Sequence, residues 1–431
     1  MPVDYQDNRP ATPRKGVVVK TTSSVNGEIQ HMILDDLTLP VEVFPAPYHA
    51  SPFGGFRSAQ DFLCQDNVHL YPGVSTAYEA DKYGYEADAG GKGTIAHIPD
   101  QSALRFSISD ATNGAKSRLR THDQVRYQSG AATHIKWTGY SDIGLLFSVI
   151  RSSTSGVAVD TLVGQNLWSE GVSAVDVSKG NLYEIMYEWL GVGAVWYFVN
   201  GELKNIVQNA GTLALPYMKT ANLPVSMEIV NSGSLQHIRF GQFDDNDGVF
   251  FEIQRSAGSG SFTHICSSAR ILNGTDYPMA AFGYSRALTN VGATMVPLFS
   301  IRVKNLLNGI ASRIQILPSL LTAFAETREG AFSLVINPTL TGATFAATSP
   351  SPGTEIDTAA SAMTGGTELM HVGLGADWSD SFDLTKLFTI PGTKIRKQAF
   401  TGTSDILTVG VMREGVVNFN PRAALNFGEV R

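Results

Sequence analysis

Short runs rich in Val, Ile, Phe, Tyr and Trp recur along the chain between clusters of Gly, Asn, Asp, Ser and Pro, and no 3.6-residue periodicity persists beyond two turns. That pattern predicts an all-β chain. The segments LRFSI at 104–108 and VSMEI at 225–229 alternate apolar with polar residues, so each should pack one face and leave the other wet. Two such sheets packed face to face make a sandwich. Asn-Gly pairs between apolar runs supply the positive-φ residues of two-residue hairpin turns, placing hairpins at Asn26-Gly27, Asn200-Gly201 and Asn308-Gly309. Asn113-Gly114 and Asn273-Gly274 have polar flanks and predict turns less directly. The segment SLLTAFAETRE at 319–329 reads either as the one short helix or as a buried strand and its turn.

This punctuation divides the chain into two antiparallel β-sandwich domains of jelly-roll or lectin-like type, preceded by an extended N-terminal arm. The arm, 1–50, carries Pro2, Pro10, Pro13, Pro40, Pro45 and Pro47 around the first hairpin, which suits an assembly or anchoring segment. A first sandwich is expected over 51–285 and a smaller one over 294–431, whose Thr/Ser/Gly/Ala-rich stretch 341–366 reads as a surface loop or weak hairpin.

Composition narrows the function. Of the 431 residues, 43% are hydrophobic and only 16% charged, against about 25% charged in an average soluble domain. The surface must therefore be polar through hydroxyls and amides, as in extracellular and virion β proteins. A net charge of −7 and the lack of a Lys/Arg run of about five or more argue against nucleic acid as a partner. The one basic stretch, Lys116, Arg118, Arg120 and Arg126, has the spacing of a solvent-facing strand side. No apolar run reaches the roughly 18 residues of a membrane span, and the polar N-terminus lacks a signal-peptide core, so no membrane insertion is expected. Cys64 and Cys266 form no metal pattern, and a bridge between them is left open.

Candidate chemistry is sparse. Glu184 and Glu188 share a strand face, but four residues separate them by roughly 13 Å, beyond the roughly 5 to 9.5 Å of a glycosidase carboxylate pair. Asp244, Asp245 and Asp247 have the composition of a cation-binding loop, yet Arg255 stands at the twelfth position where an EF-hand needs glutamate, and a tight turn explains the same residues. None of the nine histidines lies at i, i+2 or i, i+4 from another, and no nucleophile, phosphate-loop or zinc motif occurs. Tyr183, Tyr187 and Trp189 share one strand face, and Trp196 and Phe198 share another; these are candidates for glycan or subunit contact, or for the sandwich core. No catalytic residue, metal or cofactor is assigned, and the chain reads as no enzyme.

Several phrases together resemble structural proteins of tailed-bacteriophage virions: KGNLYEIMYEWLGVG at 179–193, NLPVSMEIVN at 222–231, ICSS at 265–268, RYQSG at 126–130, PLFSIR at 297–302, NPTLTG at 337–342, DILTV at 405–409 and the leading hairpin 17–37. The resemblance runs in order over most of the chain, with one departure. The segment GQFDDNDGVFFE at 241–252 looks like a strand pair that the group places before the strand similar to LFSVIR at 146–151. The resemblance implies a concanavalin/laminin-G-like sandwich built into a particle. It makes the expected function that of a homo-oligomeric tail, fibre or baseplate component, formed in the bacterial cytoplasm and carried in the virion, with itself and other virion proteins as partners. The alternatives are a capsid decoration or head-fibre protein, and a receptor-binding protein that grips host surface glycans.

Overall fold

The computed structural model describes residues 82–88, 90–128, 131–170, 174–272, 279–307, 310–347, 353–389 and 394–430, together with the backbone of three strands nearer the N-terminus, Lys20–Ser23, Ile29–Ile33 and Phe62–Val68. The chain forms two units, 1–57 and 58–431. In the first, Lys20–Ser23 pairs antiparallel with Ile29–Ile33, Lys20 opposite Ile33. The Asn26-Gly27 turn and the rest of the proline-containing arm lie outside the described residues.

The second unit is all-β and antiparallel, apart from short 3-10 turns. A seven-stranded sheet runs in the order Val159–Gly164, Leu145–Ser152, Gly248–Ser256, Leu235–Phe243, Leu223–Ser232, Lys116–Val125, Tyr83–Ala87. An eight-stranded sheet runs Glu202–Val207, Val195–Val199, Asn181–Tyr187, Ala132–Ser141, Gly260–Leu272, Ala103–Ile108, Gly93–Ile98, with Phe62–Val68 also paired to Gly260–Leu272. One core joins their facing sides: Leu104, Phe106, Trp137, Tyr183, Tyr187, Tyr197, Phe240 and Phe251 are among its buried members. The expected alternation holds on the inner side, since Leu104, Phe106 and Ile108 are buried while Arg105 is exposed.

The strand Gly248–Ser256 lies between Leu235–Phe243 and Leu145–Ser152. Strands far apart in the chain, Leu145–Ser152 and Gly248–Ser256, are thus direct neighbours in the sheet, because pairing depends on matched faces rather than on chain order.

The second core collects Phe299, Ile316, Phe332, Phe419, Leu425 and Phe427 among others. Its sheets are four-stranded, in the order Met279–Ala287, Asn420–Val430, Gln315–Glu326, Trp378–Asp383, and six-stranded, in the order Ala346–Ala347, Thr354–Asp357, Val296–Val303, Ile406–Arg413, Gly330–Ile336, Thr367–Leu374. Met279–Ala287 pairs along its whole length with Asn420–Val430, so the passage to the second set of sheets falls before residue 279 rather than after 285. The segment 319–329 belongs to the strand Gln315–Glu326: Leu321, Ala323 and Ala325 are fully buried at a period of two, which outweighs the helical propensity of Leu, Ala and Glu. Pro318 is accommodated because the register shifts between Pro318 and Leu320. The stretch 341–366 contributes two weak pairings, Thr339–Thr341 with Ala362–Thr364 and Ala346–Ala347 with Thr354–Asp357.

Of the predicted turns, Asn200-Gly201 has φ of 55° and 81°, as a type I′ turn requires, with Val199 opposite Glu202. Asn308-Gly309 lies outside the described residues, but Leu307 pairs with Ile310 on either side of it. Asn113-Gly114 is not a hairpin: it joins Ala103–Ile108 of one sheet to Lys116–Val125 of the other. Asn273-Gly274 lies outside the described residues. Cys266 is free and sits opposite Val68, whereas Cys64 falls at the bulge facing Ala269 and Arg270. Four strand residues, roughly 13 Å, exceed the roughly 7 Å that a disulfide spans between Cα atoms.

Candidate functional site

Strand register places Glu184 on the outer side of the eight-stranded sheet, between Lys136 on one neighbouring strand and Phe198 on the other. His134 and Lys136, two residues apart on one strand, project to the same side. His134 Nε2 and Lys136 Nζ each lie 2.9 Å from Glu184 Oε2. Glu184 is 1% exposed, and burial alone would raise its pKa; the His134 and Lys136 hydrogen bonds and charges outweigh that and hold it below the usual carboxylate range. A carboxylate held ionised in this way is a poor general acid.

The strand ends at Tyr187, so Glu188 falls in the turn beyond it, where burial raises its pKa. The positions flanking Glu184 on the two neighbouring strands of its face hold His134, Lys136, Thr138, Trp196 and Phe198, and none is acidic. Glu184 thus lies on the strand and Glu188 beyond its end, so the two do not share the strand face that their spacing predicts. The i, i+2 spacing of His134 and Lys136 is the sequence signal that would have paired them with Glu184.

The aromatic candidates separate onto opposite faces. Tyr183 and Tyr187 are fully buried in the core, which leaves them no surface to offer a glycan or a subunit. Tyr183 packs against Phe240 at 4.8 Å and Phe251 at 5.2 Å, and the Tyr187 hydroxyl donates to Gln242 Oε1. Trp189 packs edge-on against Tyr127 at 5.5 Å, beside the same core. Trp196 and Phe198 face the other way, beside Glu184, in a small apolar cluster with Met186 and Leu203.

The acidic loop turns each carboxylate to a different partner. Asp244 Oδ1 accepts the backbone N–H groups of Asn246 and Asp247, closing a tight turn, while Oδ2 pairs with Arg313. Asp245 pairs with Arg118 and Arg120. Asp247, 2% exposed, accepts from the Ser153 backbone and hydroxyl and from the Lys219 backbone. The three side chains diverge, which replaces the cation-loop reading with a structural one. Among the described residues, no group of three or more His, Cys, Asp or Glu could hold a metal.

The basic stretch corrects another expectation. Instead of facing solvent, Arg118 belongs to a ladder of alternating charge that crosses five adjacent strands of the seven-stranded sheet: Glu86, Arg118, Glu228, Arg239, Glu252. Arg118 donates to Glu86 (2.8 Å) and Glu228 (2.7 Å); Arg239 donates to Glu228 (2.9 Å) and also to Glu252, which accepts from His237 Nδ1 at 2.8 Å. Cross-strand spacing puts each charge directly opposite its partners. Glu228 and Glu252 are only 4% and 1% exposed, so these two carboxylates are largely dehydrated. Arg126, past the strand end, is 2% exposed as well.

Burial would raise the pKa of Glu252, but its His237 and Arg239 partners overcome that and hold it at about 2, against 4.5 unperturbed. Because the folded value is the lower one, the stabilisation is complete above pH 4.5 and disappears as pH falls towards 2. That difference is worth roughly 3 kcal/mol. Chemical denaturation from pH 6 to pH 2 should show the loss, and Glu252→Gln should flatten the slope between pH 4.5 and 2; an unchanged slope would remove Glu252 from the acid response.

No protein-family model matches the chain, and no curated protein matches it. Solved structures similar to it include β-agarase A from Zobellia galactanivorans (10% identity, 53% of this chain and 97% of that chain, TM-score 0.31). Others are endo-β-1,4-glucuronan lyase from the fungus Trichoderma reesei (9%, 49% and 94%, TM-score 0.28) and the exoplasmic/lumenal domain of VIP36 in its Ca²⁺/Man3GlcNAc-bound form (10%, 50% and 93%, TM-score 0.25).

Proposed function

We propose that this chain is a non-enzymatic structural subunit of a tailed-phage particle and assembles with copies of itself. The observation that carries this reading is the free edge of the seven-stranded sheet. Its last strand, Val159–Gly164, pairs on one side only among the described residues, and without a bulge. Val157 is 72% exposed, Val159 55% and Leu162 38%, and Leu167 beyond the strand 72%. Natural edges are normally guarded by Lys, Pro or bulges, and this one has none. Its one charge, Asp160, is held by Arg151 through Nε (2.7 Å) and Nη2 (2.9 Å), so two copies of the edge do not repel each other. An edge that is apolar, neutral and unguarded suits pairing with its own copy.

The likeness to virion proteins along most of the chain, and the scarcity of surface charge, support placement in a particle. The absence of an acidic partner for Glu184 on its face supports a role without catalysis. Light scattering on the full chain should give an oligomer, and Val159→Lys with Leu162→Lys should shift it to monomer without lowering its melting temperature. A wild-type chain that stays monomeric at every concentration sinks the self-assembly reading. Cryo-EM of the particle then separates a tail or fibre position from one over the capsid lattice.

A further inference from the structure

At one border of the first sandwich the outermost strands of both sheets lie together: Val159–Gly164 of the seven-stranded sheet and Glu202–Val207 of the eight-stranded sheet. Each pairs on one side only among the described residues. The space between the two sheets opens here as a groove of about 460 Å³. Ile150 and Thr161 line it from one sheet, Val207 from the other, and Leu213, Leu215 and Pro216 from the loop that follows Val207. Leu213 is 44% exposed and Leu215 57%, so an apolar wall of the groove stands in water.

Strand parity fixes which side chains of the edge face this groove. Thr161 lies opposite Ile150, a member of the sandwich core, and both line the groove. Val159 and Val163 share the side of Thr161, whereas Asp160 and Leu162 turn to the outer side, where Asp160 meets Arg151. Pairing of the edge with its own copy about a two-fold axis is antiparallel, and residues directly opposite each other then share a side. With Thr161 on the axis, Val159 stands opposite Val163 of the second copy and Asp160 opposite Leu162, which keeps the two aspartates from facing each other. The same axis turns the open border of one sandwich towards that of the other, groove towards groove.

We propose that a second copy of this chain closes this groove, so that Leu213 and Leu215 of each copy pack against Val159 and the same loop of the other. This inference rests on the self-assembly reading and adds a second layer to it, beneath the shared sheet. The groove is continuous with the unguarded edge, and strand pairing by itself would hold the copies by one row of backbone bonds and leave the leucines wet. Burying them between copies supplies the apolar contact that a stable interface requires.

Sedimentation velocity of the full chain over a concentration series tests this. Leu213→Asp with Leu215→Asp should raise the concentration of half-assembly at least ten-fold, with the far-ultraviolet circular dichroism of the wild type retained. Val416→Asp, which changes a valine 92% exposed on the second sandwich, should leave it unchanged. If the double aspartate variant does not fold, Leu213→Ser with Leu215→Ser is read in the same way. An oligomer dispersed by Val159→Lys with Leu162→Lys but indifferent to the leucine substitutions overturns the groove's part and leaves the edge reading standing. Equal weakening by Val416→Asp also overturns it, since any added charge would then suffice. A wild-type chain that is monomeric throughout overturns both.

Discussion

Arg239→Ala should destabilise the first sandwich by about 3–5 kcal/mol, lowering its melting temperature on the order of 10 °C. Arg239 stands between Glu228 and Glu252, bonded to both, and both carboxylates are nearly inaccessible to water. Removing it withdraws one of two cations from Glu228, and from Glu252 it takes the guanidinium and leaves His237 and Gln254. Breaking a buried pair from one side costs more than the pair contributes, because the remaining charge stays desolvated. Replacing Glu228, Arg239 and Glu252 together by Met or Leu should therefore cost less than Arg239→Ala alone. Calorimetry of the two variants decides the matter: a cost below about 1 kcal/mol for Arg239→Ala would make the ladder an ordinary solvated array.

A comparable loss is expected from Tyr183→Ala, about 3–5 kcal/mol, the range for removing a buried aromatic ring. Tyr183 is fully buried, and its ring packs against Phe240 and Phe251, which pack on each other at 5.9 Å. The vacated space sits in the middle of the aromatic core, where neighbouring strands are fixed by their ladders and cannot close in. Trp196→Ala, on the opposite face of the sheet, removes a partly exposed ring and should cost clearly less. Denaturant unfolding of both variants measures the difference, and equal costs would mean that the outer cluster is as tightly packed as the core.

These two predictions rest on facts of different legibility. That Tyr183 shares a side with Tyr187, and Trp196 with Phe198, follows from strand parity alone, whereas the register of the two strands puts the pairs on opposite faces. Which side becomes the core depends on which sheet packs against it. Phe240 and Phe251, which bury Tyr183, lie on strands far along the chain. Likewise, the alternation of Lys116, Arg118 and Arg120 defines a strand face, but not that Glu228, 110 residues on from Arg118, will meet it. The composition of the Asp244 loop announces a turn, and the turn is there. Its remaining carboxylate bonds include those from Arg313, 69 residues away, Arg118, 127 away, and Ser153, 94 away.

The sequence by itself determined what is local: an all-β chain, strands with one apolar side, and the Asn200-Gly201 turn, whose positive φ angles suit Asn and Gly. Tertiary structure alone decided the rest. It set the alternating ladder of buried charge, the choice of sheet face for each aromatic, and the place of Gly248–Ser256 beside Leu145–Ser152. The physical reason is that backbone propensity and period-two patterning act between near neighbours, whereas charge pairing and desolvation act between whatever side chains strand register and sheet packing bring together.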